Sequence, residues 1–141
     1  MFSQSAKYAI LAVLYLTTYS DKDRKKGITE ISEKINVPTP FLAKLLQELS
    51  KKGFINSTKG RGGGFYMSEE NKNLSILDLI EEIEGKKKLT NCVLGSNHCN
   101  ANHPCALHNL VYEKNIELLK NLKGKPLYEY AKDLENGTSF L

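Results

Sequence analysis

Residues 28–68, "ITEISEKINVPTPFLAKLLQELSKKGFINSTKGRGGGFYMS", admit few folds. Ile31 and Ile35 stand one helical turn apart, with Thr29 expected as the N-cap and Asn36 as the stop. Pro38 ends that element and Thr39 is expected to cap the next. Pro40 then fits the first helical position, where its missing N–H costs nothing. Phe41, Leu42, Leu45, Leu46 and Leu49 share one face of this second helix, Lys44, Gln47, Glu48 and Lys51 take the other, and Gly53 closes it. Two short helices across a tight turn make a helix-turn-helix. Phe54–Thr58 and Phe65–Ser68 read as strands around the loop Lys59-Gly60-Arg61-Gly62-Gly63-Gly64. A helix-turn-helix followed at once by a hairpin is a winged helix.

The flanking segments fit around this block. Ser3–Tyr19 carries a broad apolar stripe (Tyr8, Ile10, Leu11, Val13, Leu14, Leu16), which predicts a helix buried on more than one side. Ser75 and Asp78 in "SILDLIEEIEG" have capping-box spacing. "ALHNLVYEKNIELLKNLKG" predicts a long helix ending at Gly124. That helix has two stripes: Leu107, Leu110, Val111, Leu118 and Leu122 mark one, and Tyr112, Ile116 and Leu119 the other. One stripe serves packing on a single domain. The second calls for a partner helix, for which a two-fold homodimer is the common solution, or for cover by the tail "PLYEYAKDL".

The expected fold is therefore mainly α with a small β-hairpin wing: a winged helix-turn-helix over 1–85, a cysteine-rich loop over 86–106, and a dimerisation helix with its tail over 107–141. The apolar run "AILAVLYL" is far too short for a bilayer, which takes ~20 apolar residues, and no cleavage site follows it. A cytoplasmic protein with no membrane partner is expected.

A helix presented after a short turn fits the major groove of double-stranded DNA and contacts it through its first residues. The candidates are Thr39, Pro40, Phe41, Lys44 and Gln47. In the wing, Lys59 and Arg61 supply charge, while Gly60, Gly62 and their neighbours let backbone approach phosphates closely. A nucleotide-binding loop would open a helix and, in its Walker form, present Gly-Lys-Ser/Thr. This loop closes into an aromatic strand. Paired carboxylates, nucleophile–base constellations and cofactor loops are missing, so no enzyme is expected. The net charge of +4 suits a polyanionic partner only because it accompanies this motif.

All three cysteines and all three histidines lie in "NCVLGSNHCNANHPCALHNL", residues 91–110. The spacing Cys92-x6-Cys99-x5-Cys105-x2-His108 presents four soft or borderline ligands, and His98 and His103 are additional candidates. Structural zinc takes three cysteines and a histidine tetrahedrally, and such spacing occurs in Cys3His zinc proteins that bind nucleic acid. Iron–sulfur clusters take thiolates too, with histidine replacing cysteine on an iron in some centres. Metal-free redox thiols are the third possibility. Ligand chemistry alone does not separate them.

The "ISEKINVPTPFLAKLLQELSKKGFI" block, the G-x-G-G-G-[FY] wing, the capped helix, the three-cysteine loop and the long helix together resemble the bacterial winged-helix iron–sulfur transcription regulators (IscR/NsrR-type repressors) over nearly the whole chain. The resemblance implies a homodimeric repressor on a pseudo-palindromic operator, sensing redox, iron or nitric oxide. It also implies that Cys92, Cys99 and Cys105 are thiolate ligands and that His108 falls at the histidine ligand of the cluster-biogenesis type. Lys7 stands where the nitric-oxide sensor supplies an aspartate. A lysine does not take that role, so the resemblance implies a [2Fe–2S] cluster, with [4Fe–4S] or zinc as alternatives. The chain departs from the pattern in its first cysteine gap, six residues rather than five, and in having Ala43 where the biogenesis type has glutamate.

Overall fold

Ser3 accepts the Ala6 N–H at 3.2 Å and so caps α1, Gln4–Tyr19. In the computed structural model, which describes residues 1–141, this helix is the axis of the fold. Its Ala6, Ala9 and Ala12 are fully buried, and such small side chains let neighbouring helices approach closely. The chain continues through α2 (Ile28–Ile35), α3 (Thr39–Lys51), β1 (Asn56–Thr58), β2 (Gly64–Tyr66), α4 (Glu69–Lys72), α5 (Ile76–Glu84), α6 (His108–Gly124) and α7 (Leu127–Glu135). One core joins Leu16 of α1, Ile31 of α2, Leu42, Leu46 and Leu49 of α3, Leu79 and Ile80 of α5, and Leu127 of α7.

The expected winged helix is present, with local differences. Asn36 ends α2 in the left-handed conformation at φ 53°, as its residue type allows. Thr29 does not cap α2; Gly27 does. The cause is tertiary, because Lys26 exchanges two 2.8 Å backbone hydrogen bonds with Phe65 and leaves the chain extended at Gly27. Thr39 likewise lies inside α3, with Pro38 at the N-cap position. Its hydroxyl donates to Ser32 Oγ at 2.9 Å, and Ser32 in turn donates to the Val37 carbonyl at 2.6 Å, so the two side chains tie the turn together.

The strands are shorter than the sequence suggests. Phe54 and Ile55 enter the core rather than the sheet, and β1 pairs with β2 antiparallel from Asn56↔Tyr66 to Thr58↔Gly64. The Lys26 bridge adds a third, single-residue strand on the other edge of β2.

The Ser75–Asp78 capping box forms as expected: Ser75 Oγ accepts the Asp78 N–H at 3.1 Å, and Asp78 Oδ2 accepts the Ser75 N–H at 2.9 Å. A second box, Ser68 with Asn71, starts the short α4. The tail does not cover α6. Instead, Leu127 N–H donates to the Leu74 carbonyl at 2.9 Å and α7 packs on α1, burying Leu127 and Ala131. No residue of α6 is buried. Its principal ties are to α5, among them the Lys123–Asp78 ion pair at 2.6 Å.

Candidate metal centre and nucleic-acid interface

The cysteine loop holds neither helix nor strand between α5 and α6, and turns fold it back on itself. Gly95 N–H donates to the Cys92 carbonyl at 2.9 Å, while Asn100 and His103 exchange backbone hydrogen bonds at 3.2 and 3.1 Å. These turns bring Cys92, Cys99 and Cys105 together, with all three sulfurs within 4.8 Å of one another. Cys105 N–H donates to Cys99 Sγ at 3.4 Å, and His108 Nδ1 lies 3.2 Å from the same sulfur. His108, the first residue of α6, is stacked on Tyr112 one turn later, ring centroids 5.0 Å apart. A cavity of about 260 Å³ opens beside the four groups, lined also by Val111 and Tyr112 of α6.

The sulfurs do not share one environment. The backbone N–H of Ser96 favours the Cys92 thiolate, helped by that of Leu94 and by the neighbouring thiols, and lowers its pKa to about 7. At Cys99 the Cys105 N–H works in the same direction. Partial loss of solvent and the two adjacent cysteines outweigh it and raise the thiol. Three convergent thiols with an adjacent imidazole fit a soft metal ion or an iron–sulfur cluster. His98 and His103 are exposed and stand outside the sulfur group.

On α3, Thr39, Pro40, Lys44 and Gln47 are exposed, opposite its buried leucines. Lys51 extends the same outward row. Phe41 is half-exposed, but its ring meets Tyr8 of α1 edge-on at 5.3 Å, so it sits on the flank of this face rather than at its centre. Lys59, Gly60, Arg61 and Gly62 form the exposed tip of the wing. Gly62 has φ +75°, and a Cβ on Gly63 would meet the Thr58 carbonyl oxygen at 2.1 Å, so the tight tip requires glycine. A 3.0 Å hydrogen bond between the Ser50 and Ser57 hydroxyls joins the end of α3 to β1. Nothing in the sequence marks this link, because neither serine belongs to a motif.

Fold and exposed faces define a winged-helix DNA-binding protein with a thiol-rich loop at the start of its last long helix. Residues 2–133 match the Rrf2 family, described as iron-dependent transcriptional regulators, and the chain belongs to that family. It is a DNA-binding transcription regulator. An HTH-type transcriptional regulator of Aquifex aeolicus is 35% identical over 138 residues, 96% of this chain and 92% of that protein. The repressor NsrR of Streptomyces coelicolor is 28% identical over 99 residues, 70% of this chain and 66% of its own. Among solved structures, CymR of B. subtilis superposes with a TM-score of 0.73 at 17% identity, covering 94% of this chain and 96% of CymR. IscR of T. potens gives 0.72 at 21% identity over 100% of this chain and 93% of its own. The likeness to both is one of fold. No helix is long and apolar enough to cross a membrane.

Proposed function

We propose that this regulator is a cytoplasmic, homodimeric repressor that binds a pseudo-palindromic duplex operator and senses redox state, iron or nitric oxide through a [2Fe–2S] cluster. Cys92, Cys99 and Cys105 would hold the cluster by their thiolates, and His108 by a ring nitrogen. When bound, such a cluster supplies one-electron redox chemistry and a centre reactive to diatomic gases. The observation that carries the reading is the convergence of three sulfurs within 4.8 Å at the head of α6, with His108, the helix's first residue, 3.2 Å from one of them. The ring of Tyr112 holds the imidazole in place by stacking.

The same helix leaves some of its apolar residues uncovered, Leu110 at 72% exposure and Ile116 at 42%. A second copy of α6 is the partner that suits them. Ligand-ordered residues 92–108 would fix the start of α6 and thereby the relation between two subunits, so the spacing of the two α3 helices would follow. Thr39, Pro40, Lys44 and Gln47 would enter the major groove, Phe41 would border it, and the Lys59–Gly62 tip would follow the adjacent backbone. Half-sites one or two helical turns apart, roughly 34 Å per turn, are expected.

The test is an absorption spectrum of anaerobically purified protein with iron and acid-labile sulfide assays. Visible bands with about two irons and two sulfides per chain are expected. Colourless protein containing zinc would replace this reading with a Cys3His zinc site.

A further inference from the structure

In the loop, Cys92 Sγ donates to Cys105 Sγ at 3.5 Å, a direct thiol–thiol contact. Cys99 is held differently. Its sulfur lies within 4.8 Å of both other sulfurs but also accepts the Cys105 backbone N–H at 3.4 Å and faces the His108 ring at 3.2 Å, so two nitrogen groups compete for it where the Cys92–Cys105 contact at 3.5 Å is direct. We infer that the metal-free chain is a substrate for hydroperoxides, which close an intramolecular Cys92–Cys105 disulfide and leave Cys99 as the free thiol. The inference rests on the loop geometry alone and does not require that the loop hold a cluster.

The geometry permits the step. A disulfide needs its sulfurs about 2.0 Å apart, so the pair must close by about 1.5 Å from the observed 3.5 Å. Both residues lie outside helix and strand, and Cys105 precedes α6 by a short turn, so that movement breaks no helical or sheet hydrogen bond. All three sulfurs are only partly buried, which admits a small oxidant.

The chemistry balances without any further reactant. One thiol takes an oxygen from hydrogen peroxide to become a sulfenic acid, and the other peroxide oxygen leaves as water. The second thiol displaces the sulfenic oxygen, forms the S–S bond and releases a second water. Two thiols are oxidised by two electrons in all, one peroxide is reduced, and both thiol protons leave in the waters. The product withdraws two of the three thiolates from the donor set. A loop that has met peroxide while empty is then closed to a soft metal until a dithiol reduces it.

The experiment uses full-length, chelator-treated, reduced protein and one equivalent of hydrogen peroxide under argon. No lysine or arginine separates the three cysteines, so one tryptic peptide carries them all. Free thiols are therefore labelled with N-ethylmaleimide before reduction and with iodoacetamide after it, and tandem mass spectrometry assigns each label. Iodoacetamide on Cys92 and Cys105, with N-ethylmaleimide on Cys99 in a monomer-sized species, is the expected result. Cys99→Ala should form the bridge at a rate within twofold of the parent chain, and Cys105→Ala should slow intramolecular bridging at least tenfold. A dominant bridge that includes Cys99, a cross-link between chains, over-oxidation to sulfinic acid or three unreacted thiols would each overturn the inference. The iron and sulfide assay proposed above addresses the cluster separately, so either reading fails without the other.

Discussion

Helices α3 and α6 both carry apolar stripes, yet Leu42, Leu45, Leu46 and Leu49 of α3 are buried and nothing in α6 is. The difference lies in what each meets. Helix α3 sits against α1 and α2, so its leucines join the main core. Helix α6 follows a loop with few apolar residues, touches mainly α5 and leaves Leu110, Tyr112 and Ile116 facing outward. Equal periodicity does not mean equal burial. The winged-helix body orders itself from its own side chains, whereas α6 buries none of its residues, which is why the proposed function has it completed by a second copy.

The sharpest way to break this contrast is to delete apolar atoms on each side of it. Leu46→Ala removes a fully buried side chain and should cost the body about 2–5 kcal/mol, read from urea unfolding. Leu110→Ala, in a side chain 72% exposed, should leave that unfolding midpoint nearly unchanged once protein is dilute enough to be monomeric. A comparable loss from both would show that α6 is already part of the core.

Next in size is association. Leu110→Asp with Ile116→Asp places two charges on the uncovered face and should convert the proposed dimer to monomer in sedimentation at micromolar concentration, with the helical content of the body retained. A dimer that survives both substitutions would move the interface elsewhere.

How much of this contrast was legible in the sequence depends on the range of the interaction responsible. The Ser75–Asp78 box, the Asn36 stop and the two-helix turn are local, and all formed as expected. Thr29 and Thr39 are not the caps their residue types suggest, because a distant residue, Phe65, fixes Lys26 and because Ser32 captures the Thr39 hydroxyl. Helix α4 is scarcely legible in the sequence. It has four residues and little apolar content, and only the Ser68–Asn71 spacing marked it. The stripes of α6 were visible, but that α7 turns back onto α1 was not, since nothing in "PLYEYAKDL" names its target. The site divides in the same way. Ligand types and their clustering are in the sequence, whereas the convergence of three sulfurs depends on turns at Gly95 and Asn100.

A smaller effect sharpens the other surface. Arg61→Ala at the wing tip should lower the slope of log affinity against log salt by about one unit, because each neutralised phosphate contributes about 0.9. An unchanged slope would remove the wing from the interface. The smallest effect concerns the joint between the two regions. Burial alone would raise Asp78, but hydrogen bonds from Lys123 and Ser75 outweigh it and hold its carboxyl below the usual range. A group depressed on folding stabilises the fold above its unfolded pKa of about 3.9 and loses that contribution as pH falls through the folded value. Acid titration should therefore loosen α6 from α5 below about pH 4, and Asp78→Asn should flatten that part of the stability profile, apart from the cap it shares with Ser75.

The central claim is that what residues 92–108 hold determines how tightly the α3 helices grip DNA. The most direct measurement is the operator affinity of cluster-loaded protein, cluster-free protein and Cys99→Ala, compared at one salt concentration. A coupling of only about 1.4 kcal/mol gives a tenfold difference. The account predicts at least that difference between loaded and cluster-free protein, with Cys99→Ala colourless, folded and matching the cluster-free form. Equal affinity in all three would contradict it and leave the loop without control over the operator.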